Sequence, residues 1–330
     1  MKHALLIYAQ AGEQMAAVAD AEKGAVLERC VLRGKSGEAL RNIAGDAVLA
    51  LCPGGCLRPV SAGIYRISDA ALADARSDEF GTAPQDRAMA CCAQAAKTLG
   101  IPAYFTDAMS TDERLPLDRI RSNRNVAKYM RGFRAEHMAA LRQALGSRRP
   151  EDGSYIVIFL GDIVSIGAYS RGRCVDMNDC IGAEGPMGFT SSGDVPCAQL
   201  ADYFAKTELD LPGMTELLLH KSGLLQYLGT ADPEKIQALC ETNPEAKEIV
   251  RAMAYQIAKW VGAASLVLQG SVQGLVLTGK GVRLPFLVDE IRRKLETIAP
   301  ISQVEEPDMA GWLAEKAALL YAGLVPLQQY

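Results

Sequence analysis

The chain has 330 residues, 49% of them hydrophobic and 22% charged, with a net charge of −4, which is enough for two domains that each bury a core. The acidic balance and the lack of a long Lys/Arg block exclude a nucleic-acid surface. Glu13 interrupts the apolar run 4–8 too soon for a secretory leader and no segment reaches membrane-spanning length, so a reduced, cytoplasmic protein is expected.

In chain order, strands are expected over 4–8, 16–19 and 47–51, the last running into the Pro53-Gly54-Gly55 turn. Ser68 is placed to cap a helix reaching Ala75, and an alanine-rich helix over 86–99 is stopped by Gly100. Residues 101–107 read as a short buried strand ending in the acid Asp107. A helix is expected over 121–145. The basic residues Arg119, Arg121, Arg124, Lys128, Arg131 and Arg134 recur at near-helical spacing, which reads as a solvated helix face rather than an anion site. The polar stretch 146–153 divides the chain into domains over 1–152 and 153–307.

The second half opens as strand, turn, strand, turn, strand over 155–177, a β-meander. Helices follow over 195–204, 214–221, 233–240 and 246–268. The last of these carries Val250, Met253, Ala254, Ile257, Ala258 and Val261 as a core stripe. A strand over 275–279, a helix over 284–295, a strand over 301–304 and a helix over 309–324 complete the alternation, which argues for α/β domains with mixed sheets. Cys30, Cys91 and Cys92 read as buried small hydrophobes, and the Cys52…Cys56 spacing as structural rather than redox or metal-binding. His3, His137 and His220 lie in no cluster with acids or cysteines, so neither a triad nor a metal site is indicated.

The meander Gly161…Ser165-Ile166-Gly167-Ala168…Gly172-Arg173-Cys174-Val175-Asp176-Met177-Asn178 is joined by four further segments. These are Glu184-Gly185-Pro186, Ser192-Gly193-Asp194-Val195-Pro196, Ser222 to Asp232 and Val276-Leu277-Thr278-Gly279. With Gly100-Ile101-Pro102-Ala103…Asp107 in the first half, this set resembles the acetate and butyrate kinase family of the actin-like ATPase superfamily. The resemblance implies an α/β fold of two actin-like ATPase (ribonuclease H-like) domains with mixed sheets flanking a central cleft. It also implies that residues 308–330 pack back on the first domain and that the protein is a homodimer. The implied reaction is transfer of the γ-phosphoryl group of Mg-ATP to a short-chain carboxylate, giving an acyl phosphate.

Carried over residue by residue, the resemblance places nucleotide contacts at Gly161, Asp162, Ser165, Gly167, Thr230, Thr278, Gly279 and Lys280. Substrate contacts fall at Gly54, Gly55, Ser192 and Gly193. Asp107 is the retained family acid, and Ser191 stands where the family has the arginine that braces the transferring phosphoryl group. No metal-ligand set is indicated.

Several family motifs are replaced. The phosphate loop, rich in hydroxyls and ending in lysine, reads Tyr8-Ala9-Gln10-Ala11-Gly12-Glu13-Gln14-Met15, and the Gly-Arg-Gly-Gly loop reads Cys52-Pro53-Gly54-Gly55. The helix start with His, Ser and Asn becomes Ala83-Pro84-Gln85-Asp86-Arg87. The glycine-rich turn becomes Phe159-Leu160-Gly161-Asp162-Ile163, and a metal-binding glutamate becomes Ala310. A transition-state arginine alone is typically worth about 10³-fold in rate, so an impaired enzyme is expected. The alternative is an active carboxylate kinase with a phosphate site rebuilt on Lys280, Arg58 or Arg87. Asp107 is open to two readings, catalytic acid or strand-end cap of the following loop.

Overall fold

The computed structural model describes residues 2–32 and 42–330. The chain divides into two compact units: Met1–Glu113 with Arg134–Ala139 and Asp308–Tyr330, and Arg114–Phe133 with Ala140–Pro307.

Among the described residues of unit 1, seven strands form a mixed sheet in the order β12-β5-β6-β4-β1-β2-β3. They are β1 (His3–Gln10), β2 (Glu13–Asp20), β3 (Val26–Val31), β4 (Ala47–Pro53), β5 (Ile64–Arg66), β6 (Ala103–Thr106) and β12 (Leu327–Gln328). β1 and β2 are antiparallel with Gln10 opposite Glu13. The residues between them, Ala11 and Gly12, both have positive φ, the signature of a two-residue type I′ turn whose twist matches its strands. The segment that the resemblance sets at the phosphate loop is therefore a β-hairpin with its tip at Ala11 and Gly12. β4 runs parallel to β1 and to β6, while β5 is antiparallel to β6.

Helices α1 (Asp69–Asp74) and α2 (Pro84–Leu99) follow β5, and Ser68 caps α1 through its hydroxyl, as the sequence implied. Side chains alternate across a strand, so Leu5 and Ile7 share a core with Ala88, Met89, Cys92, Ala95 and Ala96 of α2. Helix α10 (Met309–Tyr321) packs against β1 to β4 of the same sheet. Cys91 is exposed, contrary to the expected burial, because it faces away from this core on α2; Cys92 faces in.

In unit 2 the described strands form a sheet in the order β11-β10-β7-β8-β9. β7 (Ser154–Leu160), β8 (Val164–Ser170) and β9 (Arg173–Met177) are the antiparallel meander read from the sequence, and β10 (Gly274–Thr278) and β11 (Ile301–Val304) add in parallel. Helix α8 (Pro244–Val267) lays Val250, Met253, Ala254, Ile257 and Val261 on one face of the sheet beside α9 (Pro285–Leu295). The remaining helices are α4 (Cys197–Lys206), α5 (Leu211–His220), α6 (Gly223–Leu228) and α7 (Pro233–Thr242).

The helix expected over 121–145 is shorter: α3 covers Arg134–Leu145, and the division between units falls inside it. Residues 115–133 are turns and extended chain, so the basic residues do not share a solvated helix face. Asp118 gathers Arg114 at 3.7 Å and the Lys128 ammonium. The Asn123 side chain takes the Asn125 N–H at 2.9 Å, a local bond that competes with helix. Arg114, Arg131 and Arg134 are buried, and Arg131 is held by Asp179 at 2.7 Å.

Candidate functional site

In unit 2 the β7–β8 turn carries Gly161 and Asp162. The segment 188–191 lies directly on this turn: Phe189 N–H donates to the Gly161 carbonyl at 3.3 Å, and Thr190 and Ser191 N–H donate to the Asp162 carbonyl at 3.0 and 3.1 Å. On the neighbouring β10 turn, Gly279 has φ +86°, and a Cβ there would fall 2.9 Å from the Leu160 carbonyl oxygen, so only glycine fits. The next residue, Lys280, donates from its ammonium to the Asp162 carboxylate at 2.5 Å and to the Ala231 carbonyl at 3.0 Å. The same ammonium stands 4.8 Å from the centre of the Phe189 ring. Lys280 thus ties together the two turns that the sequence assigned to the nucleotide, and its partner is the acid that the sequence placed on the first of them.

Of the other expected nucleotide residues, Thr230 precedes Ala231, and its hydroxyl accepts the Asp232 N–H at 3.2 Å. Ser165 and Thr278 both pair with Phe159 across the sheet, and their buried hydroxyls have no hydrogen-bond partner. Gly167 pairs with Val157 and Met177 within the sheet, away from the turn. Ser191 is buried, with its N–H on Asp162 and its carbonyl accepting from Gly188 N–H at 2.9 Å. Ser191, where the resemblance expects an arginine, therefore belongs to the packing of the turn. Ser192 N–H donates to the Leu218 carbonyl at 2.7 Å, and its hydroxyl donates to that of Gly193 at 2.9 Å.

In unit 1, β4 ends at the glycine loop. Gly54 N–H continues the sheet to the Thr106 carbonyl at 2.8 Å, and a Cβ on Gly55 would fall 1.7 Å from an Asp86 carboxylate oxygen. Asp86 lies in the first turn of α2, where the helix dipole favours an acid. It accepts the Cys56 N–H at 2.8 Å and the Ala83 N–H at 2.7 Å. Burial pushes its carboxyl up to about 6 although both amides pull the other way. A resident carboxylate thus holds the amide of the loop that the resemblance offers to a substrate.

Asp107 follows β6 with φ +46°, an uncommon conformation for an aspartate. It does not cap the following loop. Its carboxylate accepts from Arg134 Nε at 3.2 Å, Trp312 Nε1 at 2.9 Å and the Thr106 hydroxyl at 3.4 Å. Arg134 also meets Glu113 at 2.9 Å. One residue pair further along α3, Glu136 accepts from Gln85 at 2.5 Å, and burial lifts its carboxyl to about 7.

Sequence reasoning missed Asp86, Arg134 and Trp312. The first had a local signal, proline at the first helical position and an acid two residues on. Arg134 and Trp312 lie 27 and 205 residues from Asp107; Arg134 had only the charge spacing that read as a solvated face, and Trp312 had no signal. Arg58 is held by Asp74 at 2.7 and 3.0 Å with the Tyr330 ring beneath it, so it is not poised for a phosphate; Arg87 is exposed on α2.

These donor sets do not suit a magnesium triphosphate. The turn of unit 2 offers phosphates a carboxylate already neutralised by Lys280. In unit 1 the acid available to a metal is occupied by arginine and tryptophan, and Ala310 is a buried alanine. Among the described residues no group of three or more His, Cys, Asp or Glu side chains is arranged to hold a metal ion.

The solved structures that this chain resembles include acetate kinase from Porphyromonas gingivalis, with TM-score 0.73, 18% identity and 96% of this chain and 99% of that one covered. A propionate kinase from Francisella tularensis subsp. tularensis SCHU S4 gives TM-score 0.73, 14% identity and coverage of 96% and 100%. The two α/β units with mixed sheets are of the actin-like ATPase type. The Acetokinase family model matches residues 128–292. A curated Enterococcus faecalis (strain ATCC 700802 / V583) protein named "Probable butyrate kinase" is 32% identical over 252 residues, 75% of this chain and 70% of its own length. The chain belongs to the acetate and butyrate kinase family. No helix among the described residues is long and apolar enough to cross a membrane.

Proposed function

We propose that this chain is a catalytically impaired member of the short-chain carboxylate kinase family. On this reading the family reaction, ATP + carboxylate = ADP + acyl phosphate, proceeds at a small fraction of its ordinary rate or not at all. The observation that carries it is the Lys280–Asp162 ion pair across the β7–β8 and β10 turns. Phosphoryl transfer depends on cations and amides aimed at the phosphates. Here the cation at the turn is already neutralised, and an acid faces the position where phosphate charge would build up. The carboxylate of Asp86 on the glycine loop of unit 1 supports the same reading. On the family resemblance we take the protein as a cytoplasmic homodimer whose small-molecule partners are short-chain carboxylates or acyl phosphates. Its domains are read over 1–152 with 308–330, and over 153–307.

Calorimetric titration of the full chain with Mg·ATP, coupled to hydroxylamine trapping of acyl phosphate from acetate, propionate and butyrate, tests the proposal. The expected result is no saturable heat at millimolar nucleotide and no hydroxamate above background. Saturable binding with hydroxamate formation overturns it and favours the second reading, an active kinase with a rebuilt phosphate site. The observation behind that reading is again Lys280, a lysine beside the phosphate turn that would become the phosphate cation if a ligand displaced Asp162.

A further inference from the structure

The Gly161 and Gly279 turns stand at one end of the unit 2 sheet, and a cavity of about 170 Å³ opens at the other. It lies where β7 and β10 begin, beside the last turn of α3 and against β11. Along β10, Gly274 at the cavity is about 16 Å from Gly279. All the lining residues belong to unit 2. Side chains alternate along a strand, so Tyr155, Gly274, Val276 and Ser302 share the sheet face turned away from the α8 core. Glycine at a paired strand position packs nothing and often marks a place where a ligand comes close. Neither conformation nor crowding calls for glycine at 274. Its φ is not positive, and a Cβ would meet no atom nearer than Tyr155 Cδ1 at 3.5 Å, an ordinary contact.

Leu145, Tyr155, Val276 and Pro300 supply apolar walls, and the polar side chains at the cavity are donors. Arg148 is exposed and, among the described residues, has no ion-pair partner, whereas Arg149 is held by Glu151 at 3.3 Å. Gln273 accepts the Ser154 N–H with its side-chain oxygen, which leaves its NH2 group to donate. Ser302 adds a hydroxyl, and among the described residues no carboxylate lines the space. A guanidinium and two further donors without an acid select an anion, and apolar walls select a hydrocarbon tail. A cavity of roughly 150 Å³ is filled by benzene, so the tail is short.

We infer that this cavity binds a small aliphatic monocarboxylate of about four to six carbon atoms. Its carboxylate meets Arg148 and Gln273, and its tail lies over Gly274. The site shares no residue with the glycine loop of unit 1 or the phosphate turn of unit 2, so the inference does not rest on whether the chain transfers phosphate.

The test is calorimetric titration of the full chain, without nucleotide, with sodium butanoate, pentanoate and hexanoate, and with hexylammonium chloride as the cationic control. Saturable binding is expected for the carboxylates, tightening about fourfold with each added methylene, and hexylammonium is expected to bind at least about tenfold more weakly than hexanoate. Arg148→Met keeps an apolar stem, removes the charge and should weaken hexanoate about tenfold. Gly274→Val fills the cavity from the sheet with a residue that suits a strand. It should abolish saturable hexanoate binding at this site while the melting temperature stays level or rises. Arg148 is exposed, so its variant reads the site even if Gly274→Val disturbs folding. No saturable heat with hexanoate, equal affinity for hexylammonium, or hexanoate binding that survives both substitutions overturns the inference; in the last case the carboxylate sits elsewhere on the chain.

Discussion

Each unit holds an acid against an internal cation at the place where the family resemblance puts phosphate or metal chemistry, but the two pairs sit in different surroundings. In unit 1 the Arg134 and Asp107 side chains are each 5% exposed, and Glu113 shares the arginine. In unit 2 the Lys280 and Asp162 side chains are 27% and 58% exposed. A buried charge that loses its partner remains desolvated, whereas an exposed one recovers water. The pair in unit 1 is therefore part of the framework, and the pair in unit 2 is a latch whose opening is inexpensive.

The largest expected effect follows from the buried pair. Arg134→Met strands two acids and should lower the unfolding free energy by about 3–5 kcal/mol, measured by urea denaturation; a loss below 1 kcal/mol would erase the distinction between the units. Ser191→Arg, which installs the arginine that the resemblance places at this position, should lower stability by about 2–4 kcal/mol without producing acyl phosphate, because the site is packed on Asp162. Asp86→Ala leaves the Cys56 and Ala83 amides without their acceptor and should cost about 2–3 kcal/mol.

A pH titration sharpens the comparison further. Glu136 has an ordinary value of 4.5 and a folded value raised to about 7. Between those values the folded chain keeps a proton that the unfolded chain releases, so the stability contributed by neutral Glu136 is present below 4.5 and lost as the pH rises to about 7. Glu136→Gln should flatten the fall of the urea midpoint across that window. The part that remains, between 3.8 and about 6, includes the contribution of Asp86. The smallest effect is expected in unit 2: Lys280→Ala should shift stability by less than about 1 kcal/mol, and a larger loss would mean that the latch is structural.

The sequence was most legible where local pattern and tertiary role coincide. The meander of β7 to β9 is written in β-branched runs and glycine turns, and α8 in an uninterrupted core stripe, so both were read with nearly their observed bounds. The 115–133 segment misled because charge spacing imitates a helix while Asp118 and Asn123 commit the chain to turns. β3, with an exposed middle, and the three residues of β5 are strands only because neighbours pair with them. The site divided in the same way. The turn residues Gly161, Asp162, Gly279 and Lys280 could be named from the motif, and their proximity was conditional on the resemblance. Of the partners of Asp107, Arg134 stood in a charge pattern that read as a solvated face, and Trp312, 205 positions away, left no periodic trace.

Unit 1 is assembled from distant stretches of chain, with Trp312 bonding Asp107 across 205 positions and Tyr330 bonding Asp74 across 256. During synthesis, everything in unit 2 has been added before residue 308 emerges, so it can collapse while the sheet of unit 1 still lacks α10 and β12. The half translated first is the half completed last. Until then β1 to β4 lack the helix that packs on them, and one face of that sheet stays uncovered in the nascent chain.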